Sequence, residues 1–68
     1  MAKWFVEYSI FESTPTGWAA WDGDKFFTLM VERLSLQDIE EIMLDIAILE
    51  NTTVDAVSID NIAKINTN

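Results

Sequence analysis

The stretch LSLQDIEEIMLDIAILEN, residues 34–51, decides the fold because its apolar residues recur at three- and four-residue steps. This spacing matches the 3.6-residue period of an α-helix and predicts one helix with an apolar stripe. Ser35 and Asp38 predict a capping box at its amino end, and Leu34 and Ile39 predict a hydrophobic staple across that cap. The predicted core stripe consists of Leu36, Ile39, Ile42, Met43, Ile46 and Leu49.

Alternating sequence on both sides of this helix predicts β-strands. Residues 3–12 form a first strand, residues 25–34 a second and residues 54–65 a third. In the first strand, one face carries Trp4, Val6, Tyr8 and Ile10, and the other carries Lys3, Phe5, Glu7, Ser9 and Phe11. In the second, Phe27, Leu29 and Val31 lie opposite Phe26, Thr28, Met30 and Glu32, and Phe27 is predicted to enter the core. In the third, Val57, Ile59 and Ile65 lie opposite Ser58, Asp60 and Lys64.

The segment between the first two strands contains two predicted turns. STPTG, residues 13–17, is one of them, since proline fixes φ and glycine accepts a positive φ. DGD, residues 22–24, predicts a second, tight turn. Between them WAAW, residues 18–21, forms either an additional short strand or a structured loop.

These elements predict an α+β fold of order ββαβ in a single domain, residues 1–68, with one helix packed on a three- to four-stranded sheet. A crossover through the helix would pair the second and third strands in parallel, with a right-handed connection. A chain of this size buries only about 60% of its unfolded surface, so its stability is marginal. Without cysteine or histidine, disulfides and the common zinc ligands are excluded, and self-association or folding against a partner is expected.

Acidic residues outnumber basic ones by twelve to four, which gives a net charge of −8. Residues 1–34 contain five acids and three bases, a net of −2, whereas residues 35–68 contain seven acids and one base, a net of −6. Such a field repels nucleic acid and anionic membranes and favours a cationic partner. The alternative is that the charge only keeps the chain soluble. With no signal peptide and no membrane span, we expect a cytoplasmic protein.

The residue types that catalysis requires are scarce. The absence of histidine and cysteine removes the commonest general bases and nucleophiles, and two glycines leave no phosphate-binding loop. DGD is only a fragment of a calcium-binding loop, because the residues that follow do not match that pattern. We therefore expect no enzymatic activity, no metal and no cofactor, and a macromolecular partner.

Two groups of apolar residues exceed what the core of a monomer would use, and such clusters usually mark interfaces. Leu44 and Ile48 lie on the helix away from the core stripe. A second group lies on the sheet face opposite the helix, although a β-bulge would rearrange it: Phe5, Phe11, Phe26, Met30 and Ile62. Trp18 and Trp21 either fold over this sheet face or anchor a partner.

Acidic side chains form a row along the predicted helix. Asp38, Glu41 and Asp45 share one stripe, with rises of about 4.5 and 6 Å between them. This is comparable with the spacing of phosphates along an extended nucleic-acid strand, roughly 6–7 Å. Extended by Glu50 and Asp55, the row would present carboxylates where phosphates lie in a DNA-binding groove. The alternative is an ordinary solvated helix face.

The motifs DGDKFF, residues 22–27, and LSLQDIE, residues 34–40, followed by a terminal alternating strand, resemble the small uracil-DNA glycosylase inhibitors of Bacillus podophages. Those inhibitors are acidic dimers that imitate DNA and hold the enzyme's DNA-probing side chain in an apolar cleft. The resemblance implies dimer or cleft contacts at Phe26, Phe27, Ile39 and Met43, and DNA mimicry at Glu40 and Glu41. This chain differs in its longer amino-terminal half, its tryptophan pair and its longer helix. In layout, the ββαβ order also resembles the small phage inhibitor of bacterial RNA polymerase.

The combined expectation is a small acidic phage-type inhibitor, forming a homodimer, that blocks a host protein with a basic nucleic-acid-binding surface. The acidic candidates for partner binding are Asp22, Asp24, Asp38, Glu40, Glu41, Asp45 and Glu50. The apolar candidates for partner or dimer contact are Phe5, Phe11, Trp18, Trp21, Phe26, Met30, Leu44 and Ile48. The alternative is a non-enzymatic assembly subunit that forms a homo-oligomer through its apolar sheet face.

Overall fold

Three antiparallel strands and one helix make up the computed structural model, which describes residues 2–65. The elements are β1 (Ala2–Thr14), β2 (Gly17–Leu29), α1 (Leu36–Leu49), a 3-10 turn (Val54–Ala56) and β3 (Val57–Ile65). The strand order is β2-β1-β3, so β1 is the central strand and pairs antiparallel with both neighbours. The predicted α+β class and ββαβ order are confirmed.

The first two strands form a long hairpin, each 13 residues in length. It closes where Thr14 pairs with Gly17, whose φ of 140° lies in a region that favours glycine. The turn predicted over residues 13–17 is thereby confirmed. WAAW lies within β2, so the hypothesis that this segment folds over the sheet face is wrong.

The second predicted turn, DGD, is wrong because residues 22–24 lie in the middle of β2. Gly23 pairs with Tyr8 across the hairpin. A Cβ at position 23 would lie 2.6 Å from Cζ of Tyr8, much closer than van der Waals contact. The absence of a side chain at position 23 therefore leaves room for the ring of Tyr8. Glycine within a strand often marks such a close approach.

The third strand contains a β-bulge that changes which residues face the helix. Glu7 pairs with Asn61 but Tyr8 pairs with Ile59, which leaves Asp60 as an extra residue. Beyond the bulge, Ile62 and Lys64 lie opposite Val6 and Trp4 on the helix-covered face, and Ile65 pairs with Lys3 on the other. The faces predicted for Ile62, Lys64 and Ile65 were therefore wrong.

The predicted parallel pairing of the second and third strands is also wrong. Both strands run antiparallel to β1 and lie on opposite sides of it, so they share a direction without touching. The second strand ends at Leu29 rather than residue 34, because its pairing with β1 stops where Leu29 meets Ala2. Met30 therefore lies outside the sheet, with 84% of its surface exposed.

Both ends of α1 have the caps that their sequence encodes. Ser35 accepts a hydrogen bond from the backbone N–H of Asp38, and its own N–H donates to the Asp38 carboxylate, which confirms the capping box. At the other end, Asn51 adopts a φ of 56°. Its N–H donates to the carbonyl of Ile48, and that of Thr52 donates to Ala47, which is the Schellman pattern.

The core lies between α1 and one face of the sheet. Its buried members are Val6, Tyr8, Ile10, Phe27, Ile42, Ile46, Ala47 and Val57. The predicted stripe is correct at its centre and wrong at both ends, since Leu36 and Leu49 are exposed. Leu49 lies about 90° around the helix from the middle of the buried side. Near Leu36, the core is instead contacted by Leu34, the residue before the cap.

Candidate protein-binding surface

Alternation along the strands leaves one face of the sheet away from the helix, and we call this the open face. Its aromatic residues lie toward its two ends. At one end Phe5 pairs with Phe26, and their ring centroids are 5.0 Å apart. Nζ of Lys3 lies 4.9 Å from the Phe26 centroid. At the other end, Phe11 and Trp18 are exposed.

Between these aromatic ends lies a group of carboxylates from all three strands, which we call the acidic centre: Glu7, Asp22, Asp24 and Asp60. Glu7 is directly opposite Asp24 in the hairpin. Asp60 reaches this face at the bulge, where its carboxylate contacts Oγ of Ser9.

Ser9 is the buried residue that links the outer strands beneath the acidic centre. Its Oγ lies 2.9 Å from Oδ1 of Asp22 and also contacts the Asp60 carboxylate. A serine hydroxyl has one proton, so it donates to only one of these two carboxylates at a time. On the same face, Nδ2 of Asn61 donates to Oε1 of Glu7 over 3.2 Å. The four carboxylates do not converge as metal ligands, since residues 2–65 contain no group of three arranged to hold an ion.

The structure separates the predicted acidic residues into two groups on opposite sides of the sheet. Asp22 and Asp24 belong to the acidic centre. Glu40, Glu41 and Asp45 are exposed on α1. Asp38 is half-buried, and Oδ2 of its carboxylate accepts from the backbone N–H and the hydroxyl of Ser35, each over 2.9 Å. Its contacts are therefore those of a helix cap, and the predicted row along the helix loses its first member.

Glu50 and Trp21, both predicted to bind a partner, hold the sheet to the end of the helix. The Tyr8 hydroxyl donates to Oε2 of Glu50 over 2.5 Å, and Nε1 of Trp21 donates to Oε1 over 3.2 Å. Burial of the tyrosine, followed by its hydrogen bond to Glu50 and the nearby negative charges, raises the pKa of Tyr8 to about 12. These contacts lie on the helix-covered side and give both residues a role within the fold.

The predicted apolar candidates also divide between surfaces. Phe5, Phe11, Trp18 and Phe26 lie on the open face. Leu44 and Ile48 are exposed on α1, as the sequence predicts. Of the residues implied by the resemblance, Phe26 is exposed, Phe27 is buried in the core, and Ile39 and Met43 are half-buried.

Glu7 and Asp60 were not among the predicted site residues, although they complete the acidic centre. The alternation of the first strand already placed Glu7 on the face away from the core. Its position opposite Asp24 follows from the hairpin register, which the mistaken turn at residues 22–24 concealed. Asp60 joins the centre through a bulge that has no signal in the local sequence.

One surface cavity borders α1, and another lies beyond the carboxyl end of this helix. The first, of about 590 Å³, lies between the helix and the start of β3, and its lining includes Met43, Leu44 and Val57. The second, of about 490 Å³, lies between the end of the hairpin and the segment after the helix, and we call it the hairpin-end cavity. Its lining includes Phe11, Glu12, Trp18, Thr52 and Asp55.

Within residues 2–65, α1 does not have the length and apolar character of a membrane-crossing helix, and no other helix there does either. Comparisons of the chain with protein-family models, with curated proteins and with solved structures found no match.

Proposed function

We propose that this chain is a small acidic inhibitor of the phage type that acts in the host cytoplasm. It binds the basic nucleic-acid-binding surface of a host enzyme, such as a DNA repair enzyme, an RNA polymerase or a defence nuclease. The observation that supports the proposal is the open face, where exposed aromatic residues border an acidic centre. Aromatic side chains supply much of the binding energy in protein interfaces, and complementary charge accelerates association.

The spacing of the acidic centre suits DNA mimicry. Side chains on one face of a strand repeat every two residues, or about 6.6–6.8 Å, which is close to the separation of phosphates along an extended strand. Asp22 and Asp24 are related in this way along β2. Glu7 lies across from Asp24 on the adjacent strand. The open face therefore presents carboxylates in two dimensions, where the helix would present a single row.

The charges of the free protein support a cationic partner. Like charges directly opposite each other on neighbouring strands destabilise a sheet, as do Glu7 and Asp24 here. Among residues 2–65, the ion pair is between Lys64 and Glu32, at 3.3 Å, and no base lies within salt-bridge distance of the acidic centre. A basic partner would supply the missing counter-charge.

Two matched triple variants test the proposal. The first changes the open face with Glu7→Gln, Asp22→Asn and Asp24→Asn. The second makes the same change in charge on the helix with Glu40→Gln, Glu41→Gln and Asp45→Asn, and leaves Asp38 in its cap. Immobilised protein captures its target from host lysate, and duplex DNA is then used to release it. We expect the open-face variant to bind the purified target at least about tenfold more weakly, and the helix variant to bind as the parent does.

Unchanged binding by the open-face variant would overturn the role of the acidic centre. Loss of binding only in the helix variant would instead assign the mimicry to α1. A captured protein that DNA does not release would contradict blockage of a nucleic-acid-binding surface.

The exposure of Phe11, Trp18 and Phe26 also favours a second candidate function, assembly of a homo-oligomer through the open face. The two functions are compatible if the inhibitor is a homodimer. Sedimentation of the parent and of Phe26→Asp measures the assembly directly. An oligomer that dissociates in Phe26→Asp, together with no DNA-releasable target, would favour the assembly function alone.

A further inference from the structure

The hairpin-end cavity exists because β2 and β3 pair with different lengths of β1. Strand β2 pairs with β1 as far as Thr14, whereas β3 begins at Val57, opposite Ile10. The last residues of β1 therefore have β2 on one side only. The segment that joins the helix to β3 contributes the opposite wall of the cavity, through residues 51–53, Asp55 and Ala56.

The lining of this cavity has the chemistry of a cation site. Two exposed aromatic side chains contribute to it, Trp18 with 79% of its surface accessible and Phe11 with 51%. The acidic residues Glu12 and Asp55 also line it, Glu12 from the helix-covered face of β1, and its lining includes no basic residue. Aromatic faces and carboxylates both attract cations, and a positively charged group that contacts both is held by two independent interactions.

The surroundings strengthen this preference. The hydroxyl of Thr52 donates to Oε1 of Glu12, which fixes the position of this carboxylate. The cavity also adjoins the segment that directly follows the carboxyl end of α1, where the helix dipole is negative. No basic residue occupies the last turn of the helix. A bound cation would therefore complement that end of the helix.

We propose that the hairpin-end cavity binds the guanidinium group of an arginine side chain. A planar guanidinium lies flat on an aromatic ring and donates two parallel hydrogen bonds to a carboxylate, whereas an ammonium group interacts with both only as a compact point charge. This proposal rests on the proposed function only for the origin of the arginine, which would belong to the basic surface of the blocked enzyme. The site itself can be tested without that enzyme.

The probe is N-acetyl-argininamide, added to the full chain and followed by the indole N–H resonance of Trp18 in a nitrogen–proton correlation spectrum. The spectrum of Trp18→Phe identifies this resonance among the three tryptophans. We expect a saturable shift with the arginine probe. The neutral isostere N-acetyl-citrullinamide should bind at least about tenfold more weakly, because it lacks the charge that the carboxylates and rings attract.

Matched variants locate the site. Trp18→Ala should weaken binding of the arginine probe about tenfold. Because this variant lacks the indole, its binding is measured from the backbone resonances of the cavity residues. Phe26→Ala removes an aromatic ring from the other end of the open face and should leave binding of the probe unchanged. Asp55→Asn and Glu12→Gln should each weaken binding of the arginine probe severalfold. Asp45→Asn makes the same change in charge on the helix and should leave binding unchanged. Asp55 makes no side-chain hydrogen bond within residues 2–65, so its variant reports on the cavity even if Glu12→Gln disturbs the fold.

Several results would overturn the assignment: equal binding of the citrulline probe, equal binding of N-acetyl-lysinamide, or equal effects of Asp55→Asn and Asp45→Asn. Failure of this site and failure of the proposed function are distinguishable. Binding of the arginine probe with no DNA-releasable target would refute the proposed function and leave the site in place. Capture of a DNA-releasable enzyme with no response to the probe would refute the site alone.

Discussion

The two faces of the sheet are built from alternate residues of the same strands and differ in burial and in charge. On the helix-covered face, β1 presents five buried side chains, and the Tyr8 hydroxyl donates a hydrogen bond to Glu50. On the open face, Glu7 lies opposite Asp24, and neither carboxylate forms a salt bridge within residues 2–65. One face therefore stabilises the folded chain, whereas the other carries unfavourable charge, which the proposed partner would neutralise.

The largest expected effect separates buried from exposed positions on the helix. Ile46→Ala removes a side chain with no accessible surface and should lower the free energy of unfolding by about 2–5 kcal/mol. Ile48→Ala, on the exposed side of the same helix, should change it by less than about 0.5 kcal/mol. Chemical denaturation of both variants measures the difference. Similar losses would mean that the helix buries its outer side too, for example against a second copy.

A smaller effect is expected inside the hairpin. Gly23→Ala places a Cβ against the ring of Tyr8 and should lower the free energy of unfolding by about 1–3 kcal/mol. In a Tyr8→Leu background the same change should be less harmful, because the obstructing ring is gone. Denaturation of the four proteins of this cycle gives the coupling. Additive effects would contradict the close approach of residues 8 and 23.

The pH dependence of stability tests the bond between Tyr8 and Glu50. Because the folded pKa of about 12 lies above the ordinary value of 10.0, this tyrosine stabilises the fold below pH 10. That contribution should be lost as the pH rises from about 10 to about 12, at up to about 1.4 kcal/mol per pH unit. The chain has a single tyrosine, so ultraviolet absorbance follows its ionisation directly. Tyr8→Phe should remove this part of the pH dependence, and an unchanged profile in that variant would contradict the assignment.

The smallest expected effect has the opposite sign. Asp24→Asn removes the repulsion between this side chain and Glu7. It should raise the free energy of unfolding by about 0.2–0.5 kcal/mol at low salt. The gain should shrink as salt screens the parent's repulsion. Asp45→Asn, on the helix, is the matched control. A loss of stability in Asp24→Asn would show that this carboxylate makes a stabilising contact on the open face.

Patterns that depend on neighbouring residues could be predicted from the sequence. The 3.6-residue period located α1, and the Ser35 and Asp38 pair located its amino end. Alternation identified the first and third strands, and the second only over residues 25–29. Features that depend on pairing between distant residues could not be predicted. Gly23 has the local context of a turn, yet its role is set by Tyr8 on another strand. The bulge at Asp60 likewise exists only in relation to Glu7 and Tyr8, so the full acidic centre was not foreseen.

The central position of β1 has a kinetic consequence. Its pairing with β2 closes through a tight turn, whereas its pairing with β3 joins residues separated by most of the chain. Loop-closure entropy makes such distant contacts slow to form. We therefore expect the hairpin to assemble early and β3 to dock late, a sequence that pulse-labelling hydrogen exchange can resolve. Only that last step brings Asp60 and Asn61 onto the open face, so an early folding intermediate would have the aromatic ends of the surface but not its complete charge.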